Sequence, residues 1–325
     1  MTGCALTIVR ARGRRLCKII RPGGEVLAYD SAKRVDMAPV DLPDLAGLHA
    51  LLLRLGQRSD CCIVRGAVAD PDRVLGVRRL LRDDPKTGDR ATLRDVPRRW
   101  IALDLDGAPL PAGVDPRYLA GCARAVLLHL PVAFRGAAMI AAATATHGIK
   151  PGARLRLWFW CDRPLSGAEC KRWLSGSPVD RSVFGSAQPI YTAAPLFPGG
   201  RDHMPHRLVM LAGEPVVAAP APAALAPPPP RAMKPAPSGE GQGLRRLAGL
   251  IRAVHAAPAG QRHPTLFWAA CRAGELVARG GIGSASAAAA LVQAAMDGGG
   301  EDRAKAEATA RDGISRGLAE CGRHG

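Results

Sequence analysis

Long apolar runs are missing from this chain, and none approaches the roughly 18 residues that a membrane-spanning helix needs. The first residues, MTGCALTIVRARGRR, lack the basic, apolar and small-residue order of a secretory signal. The nine cysteines include no C-x-x-C pair, so the sequence indicates neither a disulfide framework nor a structural zinc site. These absences predict a cytoplasmic protein without a membrane partner.

Two enzyme signatures are also absent. The phosphate-binding motif G-x-x-x-x-G-K-[ST] does not occur, which argues against a helicase of the P-loop class. No histidine-hydrophobe-histidine strand occurs either, which disfavours a relaxase-type nickase. Any DNA unwinding would therefore have to come from a separate chain.

Positive charge is plentiful. Lysine and arginine number 45 against 28 acidic residues, which gives a formal net charge of +17 and a pI near 10.3. Such an excess favours a polyanionic partner such as nucleic acid. High-GC coding offers a second explanation, because the chain is rich in Ala, Gly, Pro and Arg and poor in Lys. The charge supports a nucleic-acid partner only modestly.

The composition changes along the chain and predicts three regions. Residues 1–213 read as a mixed α/β core, in which an arginine-dense loop at 78–99 is either a phosphate track or a solvated edge. Residues 214–242 form a Pro/Ala-rich linker, with a packed surface arm as the alternative. Residues 243–325 have the apolar spacing of a small helical bundle.

Within the core, residues 1–98 are predicted to form an N-terminal α/β unit and residues 99–213 a second unit. The second unit reads as strand, helix, strand, strand, helix, strand, which is the βαββαβ pattern. Its first helix is expected from an N-cap at Asp115 to about residue 130, and its second at the capping box Ser166 to Glu169. The predicted fold class is α/β (α+β), with the first and third strands of this unit side by side.

The strand RRWIALDLDG places Asp104 and Asp106 on the same face. Two like charges at this spacing repel, and burial would increase the repulsion. A divalent cation such as Mg²⁺ with oxygen ligands would remove the conflict. A surface D-x-D without a ligand is the alternative, and the motif alone favours it because it is short and common.

Further polar residues follow in order. His147 ends the next strand in Thr144-Ala145-Thr146-His147-Gly148, and a basic strand with Lys150, Arg154 and Arg156 comes after it. Asp180 stands in PVDRSVF. In this order the motifs over about residues 60–212 resemble the archaeo-eukaryotic primase superfamily, in the branch of phage and plasmid primase-polymerases. The helical tail is similar to the C-terminal helical domains of such primases.

The resemblance implies an RRM-like catalytic unit joined to an N-terminal α/β unit. It implies that Asp104, Asp106 and Asp180 bind two metal ions, Mg²⁺ or Mn²⁺, and that His147 contacts the phosphates of the incoming nucleotide. Thr144 and Thr146 would be hydroxyl donors in place of the usual serine, where this chain has Ala145. Lys150, Arg154 and Arg156 are suitable donors to a triphosphate.

Each residue also has a structural interpretation. His147 alone would be a turn histidine, and Asp180 competes with Asp162 and Asp202 for the third metal position. Arg154 alone would pair with a carboxylate across the sheet. Three aromatic residues could stack on bases, although packing is favoured for the two tryptophans: Trp158, Trp160 and Tyr191.

The expected function is a template-dependent DNA primase-polymerase that makes primers on single-stranded DNA for a mobile element. Its expected partners are the single-stranded template, ribo- or deoxynucleoside triphosphates and a helicase on another chain. Two alternatives stay open at this point. One is a repair-type polymerase of the same superfamily that only extends primers, and the other is a replication initiator or DNA-binding protein with a decayed site.

Overall fold

The structure is a computed structural model that describes residues 4–227, 240–258, 260–280, 282–299 and 302–321. The chain divides into two compact units, Met1–Pro227 and Pro228–Gly325. The strands are β1 (Ala5–Arg10), β2 (Ile19–Ile20), β3 (Val26–Leu27), β4 (Asp36–Asp41), β5 (Cys61–Val64), β6 (Ala67–Val68), β7 (Leu93–Arg94), β8 (Arg98–Ala108), β9 (Met139–Ala143), β10 (Ala153–Leu165), β11 (Ile190–Tyr191) and β12 (Leu208–Leu211). The α-helices are α1 (Leu45–Gly56), α2 (Leu119–Val126), α3 (Gly167–Trp173), α4 (Glu240–His255), α5 (Arg262–Ala278), α6 (Ser284–Asp297) and α7 (Arg303–Cys321).

The first unit contains two four-stranded sheets, so the predicted mixed α/β class is confirmed. The first sheet has the order β11-β5-β1-β4 and the second the order β12-β9-β10-β8. Strand β11 comes late in the chain but pairs with β5 of the first sheet. The predicted boundary at residue 98 therefore does not separate the two sheets.

In the second sheet β8 pairs with β10, so the expected neighbourhood of the first and third strands is confirmed. The last strand, β12, pairs with β9 and not with β8. The strand order therefore differs from that of an RRM-like unit, in which the last strand lies beside the first. Strand β8 is an edge strand of this sheet. The segment that precedes β11 lies along its outer edge, where the Asp180 N–H donates to the carbonyl oxygen of Asp104.

The alternation in β8 and β10 separates two faces. Leu103, Leu105 and Leu157 are completely buried, in a core that also holds Ala123 of α2 and Cys170 of α3. The opposite face carries acidic and basic side chains along half of its length. Period-two alternation in an antiparallel pair produces this division, because each strand turns every second side chain to the same side.

Two predicted boundaries are corrected. Helix α2 begins at Leu119 rather than at residue 115, because the Asp115 carboxylate accepts hydrogen bonds from the side chain and N–H of Arg117 and does not cap the helix. Residues 214–227 belong to the first unit, where the Val217 N–H donates to the Trp160 carbonyl oxygen at 2.7 Å. The packed-arm alternative describes this part of the predicted linker, and residues 228–239 lie outside the described residues.

Other local predictions are confirmed. Helix α1 ends at Gly56 as expected, and the predicted capping box of α3 is present, with Ser166 and Glu169 bonded reciprocally. The second unit contains α4 to α7 around a core that includes Leu250, Leu291 and Ile314. Within the described ranges, no helix has both the length and the apolar character required to cross a membrane.

Candidate active site at the acid–arginine ladder

Asp104, Asp106, Arg154 and Arg156 form an ordered set on the open face of β8 and β10, which we call the acid–arginine ladder. The register places Arg156 opposite Asp104 and Arg154 opposite Asp106. The Arg156 guanidinium donates to Asp104 Oδ2 at 2.9 Å, and Arg154 is ion-paired with Asp106. The Asp104 side chain is 21% exposed and that of Asp106 is 75% exposed. The cross-sheet pairing considered for Arg154 is therefore present, and each acid of the D-x-D has a cationic partner.

Asp180 lies next to the ladder. Its backbone N–H donates to the carbonyl oxygen of Asp104 at 2.9 Å, which brings the third predicted acid to the edge of β8. Its carboxylate accepts from the N–H and the hydroxyl of Ser182 and caps a short 3₁₀ helix, Arg181–Phe184. The structure thus brings the chain segments of the three acids together, while their side chains bond to other groups.

The predicted metal ligands do not form a metal centre in this arrangement. No group of three or more Asp, Glu, His or Cys side chains in the described part of the chain could hold an ion. The competitors for the third position are also engaged, because Asp162 accepts from Ala219 N–H and Asp202 is ion-paired with Arg207. Binding of a divalent ion at Asp104 and Asp106 would require Arg154 and Arg156 to change partners.

His147 is a buried structural histidine, which corrects its predicted role as a phosphate ligand. It is 1% exposed, and its Nδ1 accepts from the N–H of Arg154 at 3.1 Å. Nε2 therefore carries the proton and donates to the carbonyl of Pro116 at 2.8 Å. Burial lowers the pKa of the imidazole below its ordinary value, so the neutral form is favoured. Both ring nitrogens are occupied, and neither is available to a triphosphate.

A pocket with a cavity volume of about 310 Å³ lies between the two sheets and α1; we call it the inter-sheet pocket. Basic side chains line it together with an apolar wall from α1 and β9, and none of its described lining residues carries a carboxylate. The cations are Lys18, Arg156 and Arg207. Arg156 also belongs to the ladder, so the pocket and the acids share one guanidinium.

Two tyrosines form one wall of the inter-sheet pocket. The rings of Tyr29 and Tyr191 are stacked, with centroids 3.7 Å apart, and Lys18 Nζ lies 5.5 Å from the centroid of Tyr29. Arg156 donates from Nη1 to the carbonyl oxygen of Tyr191 at 2.6 Å. Burial raises the pKa of both phenols, so they stay neutral. This wall offers aromatic surface and cations at the same place.

The remaining predicted nucleotide-binding residues are dispersed. Thr144 lines the inter-sheet pocket, where its hydroxyl donates to the Arg154 carbonyl at 2.9 Å. Thr146 is buried, and Lys150 is exposed and is not among the residues that line this pocket. Trp158 and Trp160 are buried, and Trp158 also lines the inter-sheet pocket.

Sequence reasoning missed most residues of this pocket. Lys18, Tyr29 and Thr192 come from segments that carry no motif, and only the fold brings them together. His206 is the second histidine of an H-x-x-H stretch that begins at His203, and Arg207 follows it directly. The basic residue beside these histidines is the one sequence signal that could have pointed to this part of the pocket.

Comparisons with known proteins add no assignment: the sequence matches no family model and no curated protein, and the fold matches no solved structure.

Proposed function

We propose that the first unit is the catalytic unit of a template-dependent DNA primase-polymerase, which makes primers on single-stranded DNA for the replication of a mobile element. One observation carries the proposal: Arg156 lines the inter-sheet pocket and at the same time pairs with Asp104 of the D-x-D. A nucleotide in this pocket would contact the guanidinium that pairs with Asp104. The order of motifs that resembles the archaeo-eukaryotic primases supports the same activity.

The cationic residues suit a triphosphate. Arginine guanidinium groups bind phosphate oxygens through paired, charge-assisted hydrogen bonds. Arg156, Arg207 and Lys18 line the pocket, and Arg154 is the next basic residue along β10. In the proposed reaction these side chains would bind the phosphates and orient the nucleotide toward the 3′-hydroxyl of the growing strand.

The proposal includes Mg²⁺ or Mn²⁺ as cofactor. Asp104 and Asp106 are the residues that would hold the ion, with Asp180 as the third candidate. Metal ions in such enzymes lower the pKa of the attacking hydroxyl and stabilise the leaving group. The proposed partners are the single-stranded template, nucleoside triphosphates and a helicase on a separate chain, in the cytoplasm.

Primer synthesis on circular single-stranded DNA without a primer tests this function. The full chain is incubated with Mg²⁺ or Mn²⁺ and labelled ribo- or deoxynucleotides, and products are resolved on a gel. We expect synthesis by the wild type and its loss in the double variant Asp104→Asn plus Asp106→Asn. Persistent synthesis in that variant would show that these acids are not the catalytic ones.

The chain provides a matched control, because Asp70 and Asp72 form a second D-x-D, in a loop after β6. The variant Asp70→Asn plus Asp72→Asn removes the same charge and should keep full activity. A primed template in parallel separates primer synthesis from extension alone, since an extension-only polymerase would be active only on the primed DNA.

A second candidate function is a replication initiator or DNA-binding protein without polymerase activity. It is favoured by the ladder itself, in which arginines already neutralise both acids, and by the occupied nitrogens of His147. Single-stranded DNA binding by the wild type without synthesis on either template would support this candidate over the first.

A further inference from the structure

Three residues that line the inter-sheet pocket carry buried polar atoms that the fold leaves without partners. Arg156 Nε, Trp158 Nε1 and Thr192 Oγ1 are each buried and have no hydrogen-bond partner among the described residues. All three residues line this pocket. A buried donor without a partner costs free energy, and native proteins keep few such atoms without a functional reason. Three residues with such atoms around one cavity point to a binding site there.

The two neutral donors determine which chemical groups of a ligand the site can bind. An indole N–H can only donate, and a threonine hydroxyl donates as readily as it accepts. Neutral donors suit the neutral oxygen and nitrogen acceptors of a base or sugar, while the cations of the pocket suit phosphates. The apolar wall, which includes Leu52 and Ala142, and the Tyr29 ring offer surface to a planar group.

We infer that Trp158 and Thr192 are specificity-determining residues that hydrogen-bond the nucleoside part of a nucleotide in the inter-sheet pocket. This inference rests on the proposed function for its ligand class and adds which part of the ligand is read, and by which groups. The two donors hydrogen-bond neutral acceptors of the base or sugar, whereas the oxygens of an inorganic phosphate are charged. The two donors therefore distinguish a nucleotide from inorganic triphosphate.

Neighbouring residues provide matched controls for both donors. Trp100 lies beside Trp158, with ring centroids 5.8 Å apart, but its Nε1 donates to the carbonyl of Ala5 at 2.9 Å. Thr7 is fully buried, and its hydroxyl donates to the carbonyl of Gly66 at 2.7 Å. Each control residue is the same amino acid in a buried position with its donor satisfied.

The variants Thr192→Val and Trp158→Phe remove the unpartnered donors, and Thr7→Val and Trp100→Phe remove the satisfied ones. Binding of each common ribo- and deoxynucleoside triphosphate and of inorganic triphosphate is measured by calorimetry on the full chain. EDTA is present, so that the result does not depend on the metal. Urea unfolding of each variant is measured without ligand.

We expect Thr192→Val and Trp158→Phe each to weaken nucleotide binding about tenfold, the usual effect of one lost buried hydrogen bond. Inorganic triphosphate should bind more weakly than the nucleotides and be insensitive to both changes. Thr192→Val should leave the urea midpoint unchanged or raise it, because replacing an unsatisfied hydroxyl removes a cost. The controls should show the reverse: a lower urea midpoint and unchanged nucleotide binding.

Three results would overturn the inference: wild-type nucleotide affinity in both donor variants, inorganic triphosphate binding as tight as nucleotide binding, or no nucleotide binding by the wild type. Primer synthesis measured on the same samples separates this failure from that of the proposed function. Synthesis that persists while both donor variants bind like the wild type refutes only the donor assignment. Absence of both binding and synthesis in the wild type refutes both.

Discussion

Arg156 joins Asp104 of the second sheet to Tyr191 of the first, because one guanidinium donates to the Asp104 carboxylate at 2.9 Å and to the Tyr191 carbonyl at 2.6 Å. The same side chain lines the inter-sheet pocket. The Arg156 guanidinium therefore links the two sheets and is also placed to bind a ligand in the pocket. A ligand that drew Arg156 away from Asp104 would break a contact that links the two sheets.

The two pairs of the ladder should differ in their contribution to stability. Asp104 is 21% exposed and its arginine partner 12%, whereas Asp106 is 75% exposed. We expect Asp104→Ala to lower the free energy of unfolding by about 1–3 kcal/mol, since a largely buried guanidinium loses its partner. Asp106→Ala should cost less than about 1 kcal/mol, as exposed pairs do. Urea unfolding measures both, and equal losses would contradict this ranking.

His147 should make the stability of the first unit dependent on pH. Burial lowers the pKa of the folded histidine below 6.5, so the unfolded chain binds a proton at higher pH than the folded chain does. The free energy of unfolding should therefore be unaffected by His147 above pH 6.5. Below it, the free energy should fall with pH, by at most about 1.4 kcal/mol per pH unit.

The variant His147→Asn tests this dependence, because asparagine keeps an acceptor for the Arg154 N–H but does not titrate. Its unfolding free energy, measured in urea from pH 5 to 8, should lack the decrease below pH 6.5 that the wild type shows. An identical pH profile in both proteins would rule out protonation of His147 as the cause.

Arg65 is a fully buried cation, 1% exposed, that donates to the carbonyl oxygens of Trp100 and Leu165 and lies 4.9 Å from the centre of the Trp100 ring. A lysine cannot reproduce this planar fork. We expect Arg65→Lys to lower the free energy of unfolding by about 2–4 kcal/mol. The exposed Arg58→Lys should change it by less than about 0.5 kcal/mol. Chemical denaturation of the two variants measures the difference.

Gly317 permits the close packing of α7 on α5. A methyl group at Gly317 would overlap the carbonyl oxygen of Cys271, whereas one at Gly249 in α4 would meet open space. Gly317→Ala should destabilise the helical unit by about 1–3 kcal/mol through overpacking. Gly249→Ala should stabilise it by about 0.5–1 kcal/mol, because alanine is the better helix former. Hydrogen exchange of the α5 and α7 amides reports both effects, and protection that is unchanged in Gly317→Ala would contradict the packing argument.

Much of the local structure could be predicted from the sequence. Alternation placed Asp104 and Asp106 on the face that also carries Arg154 and Arg156, and the S-x-x-E pattern marked the start of α3. These predictions succeed because side-chain direction within a strand and the capping of a helix depend on residues a few positions apart.

The partners of the functional groups could not be predicted in the same way. The sequence places His147 after a strand, but only the fold supplies the Pro116 carbonyl that occupies its Nε2. The same holds for β11, which the chain order assigns to the predicted unit of residues 99–213 and which pairs with β5 of the first sheet. Pairing between distant segments depends on which surfaces pack together, and no short pattern encodes that choice.

The sequence by itself determined the acids, the cations and the side of the strands on which they stand. Only the tertiary structure decided that each acid meets an arginine, that the histidine is buried, and that Lys18, Tyr29 and Thr192 share a cavity with Trp158. The physical reason is that residue spacing sets direction within one element, whereas charge neutralisation and burial are set by neighbours that are far apart along the chain.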